Sequence, residues 1–237
     1  VVTSELPGAA VLDDPVAQSL RGRHAHLARV RGRVLAYRPD VATFAAVPAD
    51  AANDDWTDLA GLLGVGALAD LFHSPVPAPE GWAPVFTLPG FQMVAGPGGL
   101  GSADTDPDVD IVVLGEADVP EMLDLAARTR PGPFWAGTHR LGTYVGIRAD
   151  GVLVAMAGER LRPPGWTEIS AVCTSPEARG RGLARRLVLD LATRITRRGE
   201  RPFLHVVAGN SAMGLYEHLG FRVRREVTFR GYRTPGA

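Results

Sequence analysis

The stretch Ala171–Ile195, AVCTSPEARGRGLARRLVLDLATRI, joins an apolar run to Ser-Pro, then to Arg179-Gly180-Arg181-Gly182, then to Leu183, Leu187, Leu191 and Ile195 at helical spacing. A glycine-rich turn opening a helix is a natural anion site. The first backbone N–H groups of a helix lack internal partners, the macrodipole adds partial positive charge, and glycines let a phosphate approach the backbone. Arg179 and Arg181 add fixed charge. Two phosphate-binding patterns are excluded. The nucleoside-triphosphate loop needs a lysine, and all 25 basic residues here are Arg. The dinucleotide fingerprint needs a third glycine, where this chain has Arg185.

Other candidates stand nearby. Glu168, in WTEISAVCT, is a carboxylate in a largely apolar strand, costly to bury and so a functional candidate. The plainer reading pairs it with an Arg. Cys173 lacks a His or Asn context and reads as a core thiol rather than a nucleophile. His24 and His26, two apart, face away from each other on a helix and read as surface or capping residues. His205 and His218 read as structural, with His205 able to face a site. No His, Cys, Asp or Glu set has metal-ligand spacing, so no metal is expected.

The elements that position these groups follow from local signals. Asp14-Pro15 opens a helix, and GRVLAYRP and VATFAAVP read as short strands. Ala49–Gly64 reads as an acidic-headed helix ending at glycine, and WAPVFTLPGFQMVA as two strands around Pro89-Gly90. Val94–Asp110, rich in Gly, Asp and Pro, reads as a linker. After it come a strand at DIVVLG, an amphipathic helix at EADVPEMLDLAARTR and a hairpin turning at Ala149-Asp150-Gly151. The strand at Trp166–Thr174, the helix at Gly182–Arg198, and the strand PFLHVVAG follow. An Asn210-Ser211 cap, the short helix SAMGLYEHLG and the strand FRVRREVTF complete the order. The expected division is 1–95, an α/β domain; 96–108, a linker; and 109–237, a second domain.

Arg179 to Ala184 fits R/Q-x-x-G-x-G/A, and Tyr216-x-x-x-Gly220-Phe221 follows in YEHLGF. With the element order from about Asp110 to Arg230, these motifs resemble the GNAT superfamily of acyl-CoA-dependent N-acetyltransferases, and in particular its glycine-N-acyltransferase-like branch. The resemblance implies an α/β fold with a mixed, mostly antiparallel twisted sheet flanked by helices. It implies acetyl-CoA as acyl donor, with Arg179, Gly180, Arg181, Gly182, Leu183 and Ala184 holding its pyrophosphate. Val172 and Thr174 would offer backbone groups to the pantetheine arm, with Cys173 between them. Asn210 would be a further coenzyme contact. Tyr216 would touch the coenzyme and protonate its sulfur as general acid. Glu168 would be the general base, with Ser170 and Glu159 as weaker candidates. Acetyl would pass to a primary amine by direct attack in a ternary complex. Loops Pro131–His139 and Arg162–Trp166 would shape the acceptor pocket. The N-terminal region, without the loop motif, would be a degenerate copy of the same fold that walls the acceptor cleft or forms a homodimer contact.

Charge and composition bound the rest. The 237 residues carry a net charge of −1. Residues 1–159 hold 10 Arg against 20 acidic residues, and residues 160–237 hold 15 against 6. The basic C-terminal third suits an anionic partner. A nucleic-acid-binding module is the competing reading, but no aromatic stacking pattern or recognition motif accompanies the Arg clusters. Two further readings keep the fold: a catalytically silent acyl-CoA sensor, and an enzyme for longer acyl chains. One cysteine excludes an internal disulfide, which points to a reducing cytoplasm. No signal peptide or membrane span is expected.

Overall fold

The computed structural model describes residues 7–72, 77–96, 98–101 and 110–236. Most of the expected linker therefore lies outside the described residues. The strands are β1 (Ala28–Arg31), β2 (Val34–Tyr37), β3 (Phe44–Ala46), β4 (Leu68–Phe72), β5 (Ala83–Ala95), β6 (Ile111–Leu114), β7 (Tyr144–Ala149), β8 (Val152–Glu159), β9 (Trp166–Thr174), β10 (Arg201–Val207) and β11 (Phe221–Arg233). The helices are α1 (Pro15–Arg21), α2 (Asn53–Leu63), α3 (Val119–Thr129), α4 (Leu183–Arg197) and α5 (Ala212–His218).

Local chemistry explains the boundaries. The Asp14 side chain accepts from the Ala17 N–H at 3.2 Å, with Pro15 in the first turn of α1. The Asp55 carboxylate accepts from the Ala52 N–H at 2.9 Å at the start of α2. The β7–β8 hairpin turns on Asp150 and Gly151, with φ of 50° and 80°, the left-handed pair of a tight two-residue turn. Leu187, Leu191 and Ile195 of α4 are fully buried against Val145, Ala155, Ala157 and Leu204 of the sheet.

The described strands form one sheet in the order β1-β2-β3-β4-β11-β5-β10-β9-β8-β7-β6. The β3–β4 and β10–β9 pairs are parallel and the others antiparallel. A parallel pair needs a crossover; α2 supplies it for β3–β4 and α4 for β9–β10. The order reads alike from both ends: an antiparallel meander, a parallel β–α–β unit, then a strand from the other half. β5 joins β10, and β11 joins β4. The division expected at 96–108 therefore does not separate two sheets. Packing crosses it as well: Leu12, Val16 and Leu20 share a core cluster with Leu141, Leu161, Trp166 and Phe203.

Two expectations change. WAPVFTLPGFQMVA is one strand, not two, pairing with β11 from Ala83 to Ala95. Pro89 is tolerated because the β10 ladder ends at Val207↔Gly90. The carbonyl of Pro89 still accepts from the Ala208 N–H at 2.9 Å, so its absent donor falls where that ladder stops. His24 is not a surface residue. It is 2% exposed, with Nδ1 2.7 Å from the Tyr37 hydroxyl and Nε2 2.9 Å from the Leu141 carbonyl.

Gly90 sits at the centre of this interleaving. A Cβ there would lie 2.5 Å from both the Val206 carbonyl oxygen and the Phe229 ring. Gly90→Ala is expected to cost about 1–3 kcal/mol, read as a lowered Tm in thermal unfolding. An unchanged Tm would show that β5 is not clamped between β10 and β11.

Candidate active site

β9 and β10 pair through Arg201↔Trp166, Pro202↔Thr167 and Phe203↔Glu168, and their ladder ends there. Beyond it β9 bends. Ala171 has a φ of +53°, and the register with β8 shifts between Met156 and Gly158. A non-glycine residue in that region costs about 1–3 kcal/mol and turns the strand's inner edge away from its neighbour. The gap is a cavity of about 770 Å³ bordered by Ser170, Val172, Cys173 and Thr174 of β9 and by Val206 and Val207 of β10. Arg179, Ala184, Asn210 and Tyr216 border it too, so one space joins the glycine loop to the candidate acid.

The loop has the shape an anion requires. Gly180 and Gly182 have φ of +77° and +72°, and a Cβ at either would meet nothing within 4 Å. Glycine is required there by backbone conformation, not by crowding. Gly182 caps α4 without any side-chain hydrogen bond, so the first N–H groups of a 15-residue helix stay available for a ligand. Arg179 and Arg181 are exposed beside it. Leu183 contributes only backbone, because its side chain lies in the core. These residues fit the pyrophosphate of a coenzyme A thioester.

The Tyr216 ring is buried edge-on to Phe221 at 6.1 Å. Burial raises its hydroxyl to about 12, despite the opposing Arg160 charge. It therefore keeps its proton at neutral pH. Asn210 accepts from the Ala212 N–H at 2.9 Å and so caps α5. Cys173 packs with Met122, Tyr144 and Met156 as core, and burial raises its thiol.

Glu168 stands where the strands begin to part, and it is fully buried. Arg160 forks onto it, Nε to Oε2 at 2.8 Å and Nη2 to Oε1 at 2.5 Å. The Leu161 N–H also reaches Oε2, at 3.3 Å. His205 Nδ1 lies 2.7 Å from Oε1. The histidine tautomer follows from Gln92. Its Oε1 accepts from Arg224 at 2.8 Å and its Nε2 donates to the Leu12 carbonyl at 2.9 Å, which fixes the amide. At 3.2 Å, Gln92 Nε2 therefore donates to His205 Nε2. His205 carries its proton on Nδ1 and is neutral, in keeping with burial, which lowers its pKa against the pull of Glu168.

Of the two readings of Glu168, general base and carboxylate paired with an Arg, the geometry displays the pairing. Burial pushes the Glu168 carboxyl up, but Arg160 and His205 outweigh it and hold the group down at about 2. Its oxygens are committed to these partners and do not border the cavity, whereas Arg160 and His205 do. Of the two weaker candidates for the base, Ser170 borders the cavity. Glu159 is buried elsewhere, on Arg198 at 2.7 Å and the Thr143 N–H at 3.2 Å.

The loop at 131–133 borders the cavity. Arg162–Trp166 does not; it docks on the N-terminal region, where the Arg162 N–H donates to Ser19 at 2.8 Å and the Trp166 indole to the Gly8 carbonyl at 3.2 Å. Five residues from before the linker complete the cavity: Phe44, Asp70, Phe72, Phe86 and Leu88. Asp70 in ALADLF carries the signal that marked Glu168, a lone carboxylate in an apolar run. Arg160 carries no local signal. Arg160 lies over Phe44 and Phe72, 5.1 and 5.3 Å from the ring centroids.

The charge asymmetry is partly absorbed within the fold. Arg224 and Arg225 both reach Asp13 at 2.8 Å, and Arg198 reaches Glu159 at 2.7 Å. Among the described residues no His, Cys, Asp and Glu side chains group as a metal site, and no helix is long and apolar enough to cross a membrane.

Glu168 has a folded pKa below its unfolded value, so its contribution to stability is present above about 4.5 and is lost as pH falls towards about 2. Glu168→Gln is expected to cost about 3 kcal/mol at neutral pH, since it strands the Arg160 charge. It should also flatten the stability profile over that acid window, as measured by denaturant unfolding at each pH. A variant as stable as wild type would show that Glu168 does not hold this corner of the sheet.

Comparison with known proteins agrees with the geometry. Residues 144–230 match the family model described as FR47-like protein. The chain is 44% identical to a protein of Novosphingobium aromaticivorans described as a "Putative Acetyltransferase from the GNAT family"; 93% of this chain and 97% of that one superpose with a TM-score of 0.83. It is 36% identical over 148 residues to the N-alpha-acetyltransferase RimI of Mycobacterium tuberculosis, a match spanning 57% of this chain and 91% of the relative. A GCN5-related N-acetyltransferase from Kribbella flavida shares the fold at 20% identity and a TM-score of 0.65, with 98% of each chain covered. The splayed strands, the glycine loop and these similarities converge: the chain belongs to the GNAT family of N-acetyltransferases.

Proposed function

We propose that the protein transfers acetyl from acetyl-CoA to the α-amino group of a peptide, by direct attack within a ternary complex. One observation carries this reading: a single cavity joins the glycine loop, the unpaired edge of β9 and Tyr216. The name of the RimI relative supports an α-amine as acceptor.

In this scheme the N–H groups at the head of α4, with Arg179 and Arg181, hold the pyrophosphate. The backbone of Val172 and Thr174 pairs with the pantetheine amides, as an added strand would. The thioester is already activated, so no covalent enzyme intermediate is needed. The amine nitrogen attacks the carbonyl carbon, the C–S bond breaks, and Tyr216 donates its proton to the departing thiolate. The N-terminal region acts as a degenerate copy of the fold that lacks the loop and walls the acceptor side, through Phe44, Phe72 and Phe86.

Calorimetric titration tests the coenzyme half. Wild type should bind acetyl-CoA saturably, and Gly182→Asp should lose binding, because it puts a carboxylate and a strained backbone where the pyrophosphate sits. Turnover of a peptide acceptor tests the chemistry. Tyr216→Phe should lower kcat about 100-fold with acetyl-CoA affinity unchanged. No binding by folded wild type would remove the enzymatic reading, and an unaffected Tyr216→Phe would remove the acid.

A further inference from the structure

Among the described residues one carboxylate borders the cavity, and the scheme above leaves it without a task. Asp70 lies on β4 between Phe44 of β3 and Gly231 of β11 in the register. It is 4% exposed and borders the cavity shared with Tyr216. Among the described residues its carboxylate accepts no hydrogen bond and joins no ion pair, and its oxygens are open to the cavity rather than sealed in the core. Leaving a carboxylate unpaired in a buried site is costly, and folded proteins keep few such groups without a reason. Glu168 shows what a structural carboxylate looks like in this sheet: forked by Arg160 and bonded by His205. Asp70 is nearly as secluded and has neither.

We infer that Asp70 is a catalytic residue: it receives the acceptor's primary ammonium and takes the proton that must leave before the nitrogen attacks. This rests on the acyl-transfer reading above. Three features place the acceptor here. Val172, Thr174 and Arg179 border the coenzyme side of the cavity, while Asp70 borders the side made by the N-terminal half. The Phe44, Phe72 and Phe86 side chains in that wall make the surroundings of the Asp70 carboxylate largely apolar, where a charge partner counts for more than in water. No other carboxylate borders the cavity among the described residues. Burial also raises the Asp70 carboxyl to about 7, with the Arg160 charge opposing, which suits a group that must take and then release a proton near neutrality.

The protons balance. The ammonium brings three N–H protons and the product amide keeps one. One passes to Asp70 and from it to solvent. Attack forms the N–C bond and expels the thiolate, which takes the Tyr216 proton. The proton still on the attacking nitrogen is released and restores Tyr216 through solvent. The sum is amide, coenzyme A thiol and one proton.

The test is calorimetry on the full chain saturated with coenzyme A, where no turnover occurs. The probes are alanyl-alanyl-alanine amide and its N-acetylated form, which has the same shape without the ammonium. Wild type should bind the free amine at least tenfold more tightly. Asp70→Asn, nearly isosteric, should lose that preference while binding coenzyme A within twofold of wild type, and its kcat/KM with acetyl-CoA should fall at least 100-fold. Retained preference or retained turnover in Asp70→Asn would overturn the inference. So would a wild type that does not prefer the free amine, a result that stands even if the variant fails to fold. If wild type binds no acetyl-CoA, the acyl-transfer reading itself has failed, and the same peptide titration without coenzyme still decides whether Asp70 holds an ammonium.

Discussion

A carboxylate cut off from water must be neutralised by its neighbours, and Glu168 meets that requirement from two directions. Arg160, just past the end of β8, forks onto both oxygens, and His205, from β10, donates to one. The ion pair lies at the last rung of the parallel β9–β10 ladder. Above it the strands separate around the bulge at Ala171. Hydrogen bonds would otherwise zip two parallel strands closed. A charge network at the base and a strained residue on the rim hold them apart. The space that opens receives the head of α4 on one side and Tyr216 on the other.

The same network ties the two halves of the chain together. His205 is bonded to Gln92 of β5, whose amide also reaches Leu12 and Arg224. Arg160 lies over Phe44 and Phe72, which come from β3 and β4. The exchange of β5 and β11 between halves brings these groups within reach. It also brings Phe44, Asp70, Phe72, Phe86 and Leu88, from before the linker, into the same cavity as Val172, Thr174, Arg179 and Tyr216, from after it.

What could be read from the sequence was what short-range chemistry determines. The loop at 179–184 announced itself through glycines that must adopt positive φ, and the stripe on α4 through its period. Tyr216 and Asn210 were placed by the motif around them. The misses arise from contacts distant along the chain. Pro89-Gly90 looks like a turn, and becomes strand interior only because β10 ends beside the proline. His24 looks exposed until Tyr37 and Leu141, 13 and 117 residues away, enclose it. Glu168 was singled out for its cost of burial, and the cost is real, but Arg160 and His205 meet it. The same argument applied to ALADLF would have singled out Asp70, whose strand is short and whose partner β11 lies more than 150 residues further on.

The central claim is that the parted edge of β9 and the head of α4 form one coenzyme site. Residue-resolved amide hydrogen exchange, with and without acetyl-CoA, tests it most directly. Added acetyl-CoA should slow exchange at Val172 and Thr174 and at the amides from Gly180 to Ala184, leaving β1 and α2 unchanged. Slowing confined to other elements, or none at a concentration that saturates binding, would contradict it.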